Sequence, residues 1–256
     1  MARETDLHVL SSLAFAGVLD ELGPAFEEAH DVRLEIDLQP TALLLRRIRG
    51  GERANVALLT DAGLTTLLAE GLLQRGTRQE LAWSSVGLAV PAGAPRPSIR
   101  TEAELVSTMM AAPSVGLSGA GASGAYFDCL LRRLGLFDAI HAKAVVIASG
   151  YTGTLLREGR VALAVQQVSE LMMVDGIDIL GPLPAGLGAE TLFSGALFPD
   201  APLLDAPLLG DPFLSDPFLG TGSRGASTAG AAFLRAIAQA GALLRSRGLA
   251  PVRPVL

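Results

Sequence analysis

Strand-like and helix-like patterns alternate along this chain, and at four places a hydroxyl stands where a strand gives way to a helix. "LHVLSS" reads as a strand. Residues 14–29 then put Phe15, Val18, Leu19, Leu22 and Phe26 on one face at helical spacing. "VRLEIDL" alternates as a half-buried strand, and residues 42–49 form a short helix closed by Gly50-Gly51. "NVALLT" is a buried strand before a helix over 62–73. "SVGLAVPAG" and "SVGLS" are further strands, the second followed by a helix over 123–134. "KAVVIAS", a helix near 152–158, "VALAV" and "IDILGPLP" complete the series. Such β-α-β-α order predicts an α/β fold with largely parallel sheets covered by helices.

Parallel strands open their carboxyl ends onto a crevice, and ligands of α/β proteins sit there. The hydroxyl junctions lie at those ends: Ser11-Ser12, Thr41 after Pro40, Thr60-Asp61, and the loop before the helix at Ser123. Each hydroxyl is also a natural helix cap, so the pattern fits both a ligand crevice and plain capping. The fourth junction, "SVGLSGAGASGAYF", contains G-x-G-x-x-G at Gly119, Gly121 and Gly124. A dinucleotide site wants these glycines after the first strand and an acid ending the second. Here the loop is mid-chain and Asp138 precedes its strand, which argues against a nicotinamide or flavin dinucleotide. Two readings stay open: an anion site of free backbone N–H groups at a helix start, or a glycine turn with Ser123 as cap.

Composition narrows the partners. Half of the 256 residues are apolar, yet no apolar run is long enough to span a bilayer, so no membrane insertion is expected. A net charge of −6 gives no electrostatic reason to bind nucleic acid. One cysteine excludes an internal disulfide, and His8, His30 and His141 lack ligand spacing, so no metal and no cofactor is expected. The opening "MARETDLHVLSSLAF" lacks the apolar core of a signal peptide. The expected location is the cytoplasm, or the periplasm or exterior if a leader has been removed.

From "LHVLSSLAFAGVLDELGPAFEEAHDVRLEI" through "PTALLLRRIRGGERANVALLTDAGLTTLLAEGLL" the chain resembles the substrate-binding proteins of molybdate ABC transporters, within the class II periplasmic-binding-protein fold. "GASGAYFDCLLRRLGL", "LLREGRVALAVQQVSELMMVDGIDILGPLP" and "AAFLRAIAQAGALLRSRGLAPV" keep the same order. The resemblance implies two α/β lobes around a ligand cleft, with 1–83 plus 194–256 in lobe 1 and 84–193 in lobe 2. In that family neutral hydroxyls and backbone N–H groups hold the oxyanion. Ser12 stands at the family's first serine and Thr41 at the serine of Gly-Ser-Gly-Ala-Leu. Ser123 and Gly124 stand where the second lobe offers backbone donors. Gln167 replaces the tyrosine that finishes the molybdate site, and Asn55 replaces an aspartate. Amides both donate and accept, which suits a carboxylate as well as a tetrahedral oxyanion.

"VQQVSEL" with "GASGAYF" resembles a subgroup that includes aconitate isomerases. The resemblance implies a proton shift beside a carboxylate, which needs anion clamps and an acid/base group. The candidate clamps are Ser11, Ser12, Thr41, Thr60, Ser123, Gly124, Gln166 and Gln167; the candidate proton carriers are Glu170 and Tyr126. Arg46 and Arg47 could meet a polycarboxylate or form a solvated helix face. The alternative is a non-catalytic receptor for molybdate or another small oxyanion, which would engage an ABC permease if exported, or a cytosolic ligand sensor. A serine hydrolase is excluded because no G-x-S-x-G is present. "DAPLLDAPLLGDPFLSDPFLG", 200–220, repeats Asp, Pro and an apolar pair and reads as an insertion within lobe 1. Its side chains point to homo-oligomer association, with packing on the lobe as the alternative.

Overall fold

The computed structural model describes residues 5–188, 190–199 and 221–252. The first elements are β1 (Thr5–Ser12), a 3-10 turn (Leu13–Phe15), α1 (Ala16–His30), β2 (Val32–Gln39), α2 (Thr41–Arg49), β3 (Val56–Thr60) and α3 (Asp61–Ala69). A long strand β4 (Gln79–Pro91) leads to α4 (Glu102–Ala111), β5 (Val115–Ser118), α5 (Ala122–Arg133), α6 (Phe137–His141) and β6 (Ala144–Ile147). Then follow α7 (Gly153–Arg157), β7 (Leu163–Gln167), α8 (Val168–Leu171), β8 (Ile177–Pro182), β9 (Glu190–Leu197), α9 (Thr221–Gln239), α10 (Gly241–Ser246) and β10 (Leu249–Pro251).

The strands follow the order β2-β1-β3-β9-β4-β7-β5-β6, with β8 and β10 also on β4. This path divides into two sheets that share β4. Its first half, from Gln79 to Ser85, pairs with β9 and β10; from Val86 to Pro91 it pairs with β7 and β8. Side-chain alternation gives each sheet two apolar faces. In the first sheet Leu7, Val9, Val56 and Leu58 face α1 and α9, whereas Leu10, Ala57 and Leu59 face α2 and α3. In the second, Val86, Leu88, Leu163 and Val165 meet α4 and α5, while Ala89 and Ala164 meet Leu155, Leu156 and Leu171 of α7 and α8.

The expectation of largely parallel sheets holds for β1–β2, β1–β3, β5–β6 and β5–β7. It fails where β4 and β9 run antiparallel to their neighbours, because these strands carry the chain between the sheets instead of closing a β-α-β unit. Helix starts also shift. A 3-10 turn precedes α1, so the helix begins at Ala16. α5 begins at Ala122 with Gly121 as its cap residue, which removes Ser123 from the capping role. α4 was not anticipated, although Thr101 and Glu104 form a complete capping box. The chain's only lysine, Lys143, ends this helix from outside, donating to the carbonyls of Met109 and Met110 at 2.9 Å and Ala112 at 2.5 Å. The 200–220 repeat lies outside the described residues.

Candidate functional site

The first-sheet candidates gather at the carboxyl ends of β1 and β3. Ser11 and Ser12 end β1, both buried. Ser12 caps the 3-10 turn, accepting from Ala14 N at 3.4 Å, and Ser11 Oγ donates to Ser12 O at 3.0 Å. Thr60 ends β3 and caps α3, accepting from Gly63 N at 3.4 Å. Thr41 is the first residue of α2, after Pro40, and its hydroxyl accepts from Thr60 N at 3.3 Å instead of capping its own helix. The capping bonds of 3.4 Å are long, so Ser12 and Thr60 keep most of their hydrogen-bonding capacity.

In the second sheet the chain folds tightly around Ser118 at the end of β5. Ser118 Oγ accepts from Gly121 N at 3.1 Å. A Cβ on Gly124 would lie 1.7 Å from Ser118 O, and one on Gly121 would lie 2.7 Å from Ser118 Oγ. The glycines of G-x-G-x-x-G therefore serve close backbone approach. Ser123 stands in the first turn of α5, buried, and its Oγ has no hydrogen-bond partner among the described residues. A buried hydroxyl without a partner is uncommon and calls for an explanation.

Adjacent strand residues point to opposite faces, and the two glutamines behave accordingly. Gln166 Oε1 accepts from Thr152 N at 2.6 Å and Thr152 Oγ1 at 3.0 Å, while Nε2 donates to Gly150 O at 3.0 Å. The same amide opposes the rise in the Glu170 pKa. Gln167 lies on the β4 crossing. The neighbours set its orientation: nitrogen donating to Ser84 Oγ at 2.9 Å and to the Ser84 and Ser85 carbonyls, oxygen accepting from Thr191 Oγ1 at 3.2 Å. Both amides are thus occupied by the protein itself.

Glu170, in α8, is buried. Burial pushes its pKa up to about 8, against the opposing effect of the Gln166 bond. A carboxyl poised there can give and take a proton near neutral pH. Tyr151 was missed by sequence reasoning. It is half-buried, and its pKa is pushed up to about 12 by burial, by Glu170 and by Asp20 of α1. The signal was available: "VVIASGYTGTLL" is another strand-to-helix junction. Tyr126 is not part of this group. Its ring packs on the second-sheet core and its hydroxyl donates to Leu187 O at 2.6 Å, so its proton is already engaged. Arg47 is tied to Asp37 and Glu52, whereas Arg46 is exposed.

The two halves touch on either side of these residues. α8 packs against the 3-10 turn that follows Ser12. Ser149 Oγ donates across to Gln39 Oε1 at the end of β2, at 3.0 Å. Ser84 and Ser169 hydroxyls lie 3.4 Å apart beside the β4 crossing.

Over 199 residues the chain is 36% identical to an aconitate isomerase of a Pseudomonas species, covering 75% of this chain and 76% of that one. Its fold is similar to the periplasmic molybdate-binding protein of Azotobacter vinelandii, with a TM-score of 0.72 and 16% identity, covering 96% of this chain and all of that one. It is also similar to the sulfate-binding protein of Mycobacterium tuberculosis, with a TM-score of 0.66 and 14% identity over 98% of this chain and 88% of that one. At these identities the two structures speak for the fold, the two-lobed α/β architecture of class II periplasmic binding proteins. The family model for bacterial extracellular solute-binding proteins matches residues 7–208, and the chain belongs to that family.

Proposed function

We propose that this chain binds a small carboxylic acid between its lobes and shifts a proton on it, as an enzyme of the aconitate isomerase kind. The observation that carries the reading is Glu170, a carboxyl buried in α8 whose pKa that burial pushes up to about 8. A receptor has no need of such a group, whereas a proton-shift enzyme requires one. The identity to an aconitate isomerase supports the same reaction class. Ser12, Thr41 and Thr60 are the proposed clamps of the first lobe, and Ser123 with the α5 backbone those of the second. The proposed lobe boundaries, 1–83 plus 194–256 and 84–193, are supported by the change of β4 partners after Ser85.

Incubation with cis-aconitate or trans-aconitate in deuterium oxide, followed by proton NMR, tests the reaction. The expected result is interconversion with deuterium entering the acid. A bound acid that shows neither overturns the enzyme reading. The receptor reading draws on the likeness to the molybdate-binding fold, and a melting shift with molybdate alone would favour it. Cell fractionation tests the cytoplasmic location; recovery from the periplasm would restore a partnership with a permease. Among the described residues no helix is long and apolar enough to cross a membrane.

A further inference from the structure

The stretch 168–174, which is α8 and the turn after it, is seated on glycines from both halves of the molecule. On its own side, a Cβ added to Gly87 of β4 would stand 2.7 Å from Val168 Cγ2, and one on Gly153 of α7 would stand 3.2 Å from Val174 Cβ. Two more seats come from elements of the first sheet. A Cβ on Gly17 of α1 would stand 3.0 Å from Met173 Sδ. One on Gly248, beside β10, would stand 2.8 Å from Met172 Sδ and 3.1 Å from Ser169 N. Each sulfur therefore lies against a backbone that leaves no room for one more carbon. The contact between the Ser84 and Ser169 hydroxyls, 3.4 Å apart, belongs to the same joint. Met172 also faces solvent, with 41% of its surface exposed, and Met173 is half-buried.

We propose that Met172 and Met173 form an oxidation site that loosens the joint between the lobes. The proposal is independent of which acid or anion the cleft takes. The oxidant is a hydroperoxide. A lone pair of the thioether sulfur attacks one peroxide oxygen, so that an S–O bond forms and the O–O bond breaks. The other oxygen leaves with the electron pair, takes up the proton of the attacked oxygen and departs as water or an alcohol. Sulfur is oxidised by two electrons and the peroxide is reduced by two. The product is a methionine sulfoxide, polar and pyramidal at sulfur, where the joint holds an apolar thioether fitted to a glycine. The first sheet's side then loses its fit to α8, whereas Val168 and Val174 keep their seats on Gly87 and Gly153.

The chain carries its own controls. Of its five methionines, Met109 is buried in the second core and Met110 is exposed on α4, a different element. The test treats the full chain, with Cys129 alkylated, with hydrogen peroxide and follows each methionine by peptide mass. Met172 should gain an oxygen along with Met110, while Met109 stays reduced. The oxidised chain should melt at least about 3 °C lower. Amides of 168–174 should exchange with solvent about tenfold faster. A spin label on the exposed Cys129, paired with a second on Glu28→Cys of α1, reads the separation of the halves, which should lengthen or broaden. Methionine sulfoxide reductases should restore all three readings. Met110→Leu should respond as the full chain does. Met172→Leu combined with Met173→Leu, a nearly volume-conserving exchange, should respond in none of them. Met172 sulfoxide that changes neither the melt nor the label separation overturns the proposal. So does a Met172 that stays reduced while Met110 is oxidised, or a response that Met110→Leu abolishes.

Discussion

Because Glu170 keeps its proton in the folded chain up to about pH 8 and an ordinary glutamate loses it near 4.5, folding and protonation are linked. Between those values the folded state binds more protons than the unfolded state. Stability from this residue is therefore greatest below the unfolded value and falls as pH rises toward 8. Glu170→Gln should flatten that slope, by at most on the order of 5 kcal/mol across the window. Urea titrations of both proteins at pH 5 and pH 9 check the sign; parallel profiles would show that the carboxyl is not buried as described. Ser123 makes the opposite kind of prediction. Its Oγ has no partner among the described residues, so Ser123→Ala should leave stability unchanged or slightly raised while weakening acid binding by about 1 kcal/mol, near fivefold. Calorimetric titration with cis-aconitate reads the binding, and a thermal melt reads the stability. Equal affinity would remove Ser123 from the site. Residue roles were the least legible part of the sequence. Gln166 and Gln167 look like twin clamps in a row, yet their partners, Gly150 and Thr152 for one and Ser84 and Thr191 for the other, come from distant segments. Tyr126 was hard to read for the same reason: the carbonyl that receives its hydroxyl belongs to Leu187, in another segment.

The elements were easier to read where local signals suffice. Apolar runs marked β3 and β5, which are buried on both faces, and Ser12 and Thr60 do cap the turns that follow them. A cap was one of the two readings open at Ser123, because the rule favours a side-chain oxygen at a helix start. The glycine before it adopts the extended cap geometry instead, and Ser118 Oγ satisfies its N–H. β9 and the antiparallel course of β4 depend on pairing between segments far apart in sequence, which periodicity does not report. That crossing is where the next prediction belongs. Gln167 joins β7 to the Ser84–Ser85 step and to Thr191 of β9, so Gln167→Leu leaves buried polar groups on both strands without partners. A loss of about 1–3 kcal/mol in stability is expected from a urea titration. Gly124→Ala is a sharper lesion, because its Cβ would stand 1.7 Å from a backbone oxygen that cannot move without shifting β5. It should fail to yield folded protein at 37 °C, read by the yield of material with a cooperative melt.

At the scale of the whole molecule, two lobes joined by strands that pass between sheets make ligand binding and stability one quantity. An acid held by both lobes at a hundredfold excess over its Kd adds about 2.7 kcal/mol. The matching rise in melting temperature is on the order of 5–10 °C for a chain of this size. The Ser149–Gln39 bond spans the lobes without any ligand, at exposed and half-buried positions. Lys143 carries a consequence of a different kind. The single lysine side chain in the sequence gives its donors to three carbonyls at the end of α4, those of Met109, Met110 and Ala112. Enzymes that act on oxo acids often hold them as imines, which requires a neutral amine. This chain has no side chain ready to form one, so borohydride added with an oxo acid should leave every side chain's mass unchanged. Whatever acid it handles is then held without a covalent bond to a lysine.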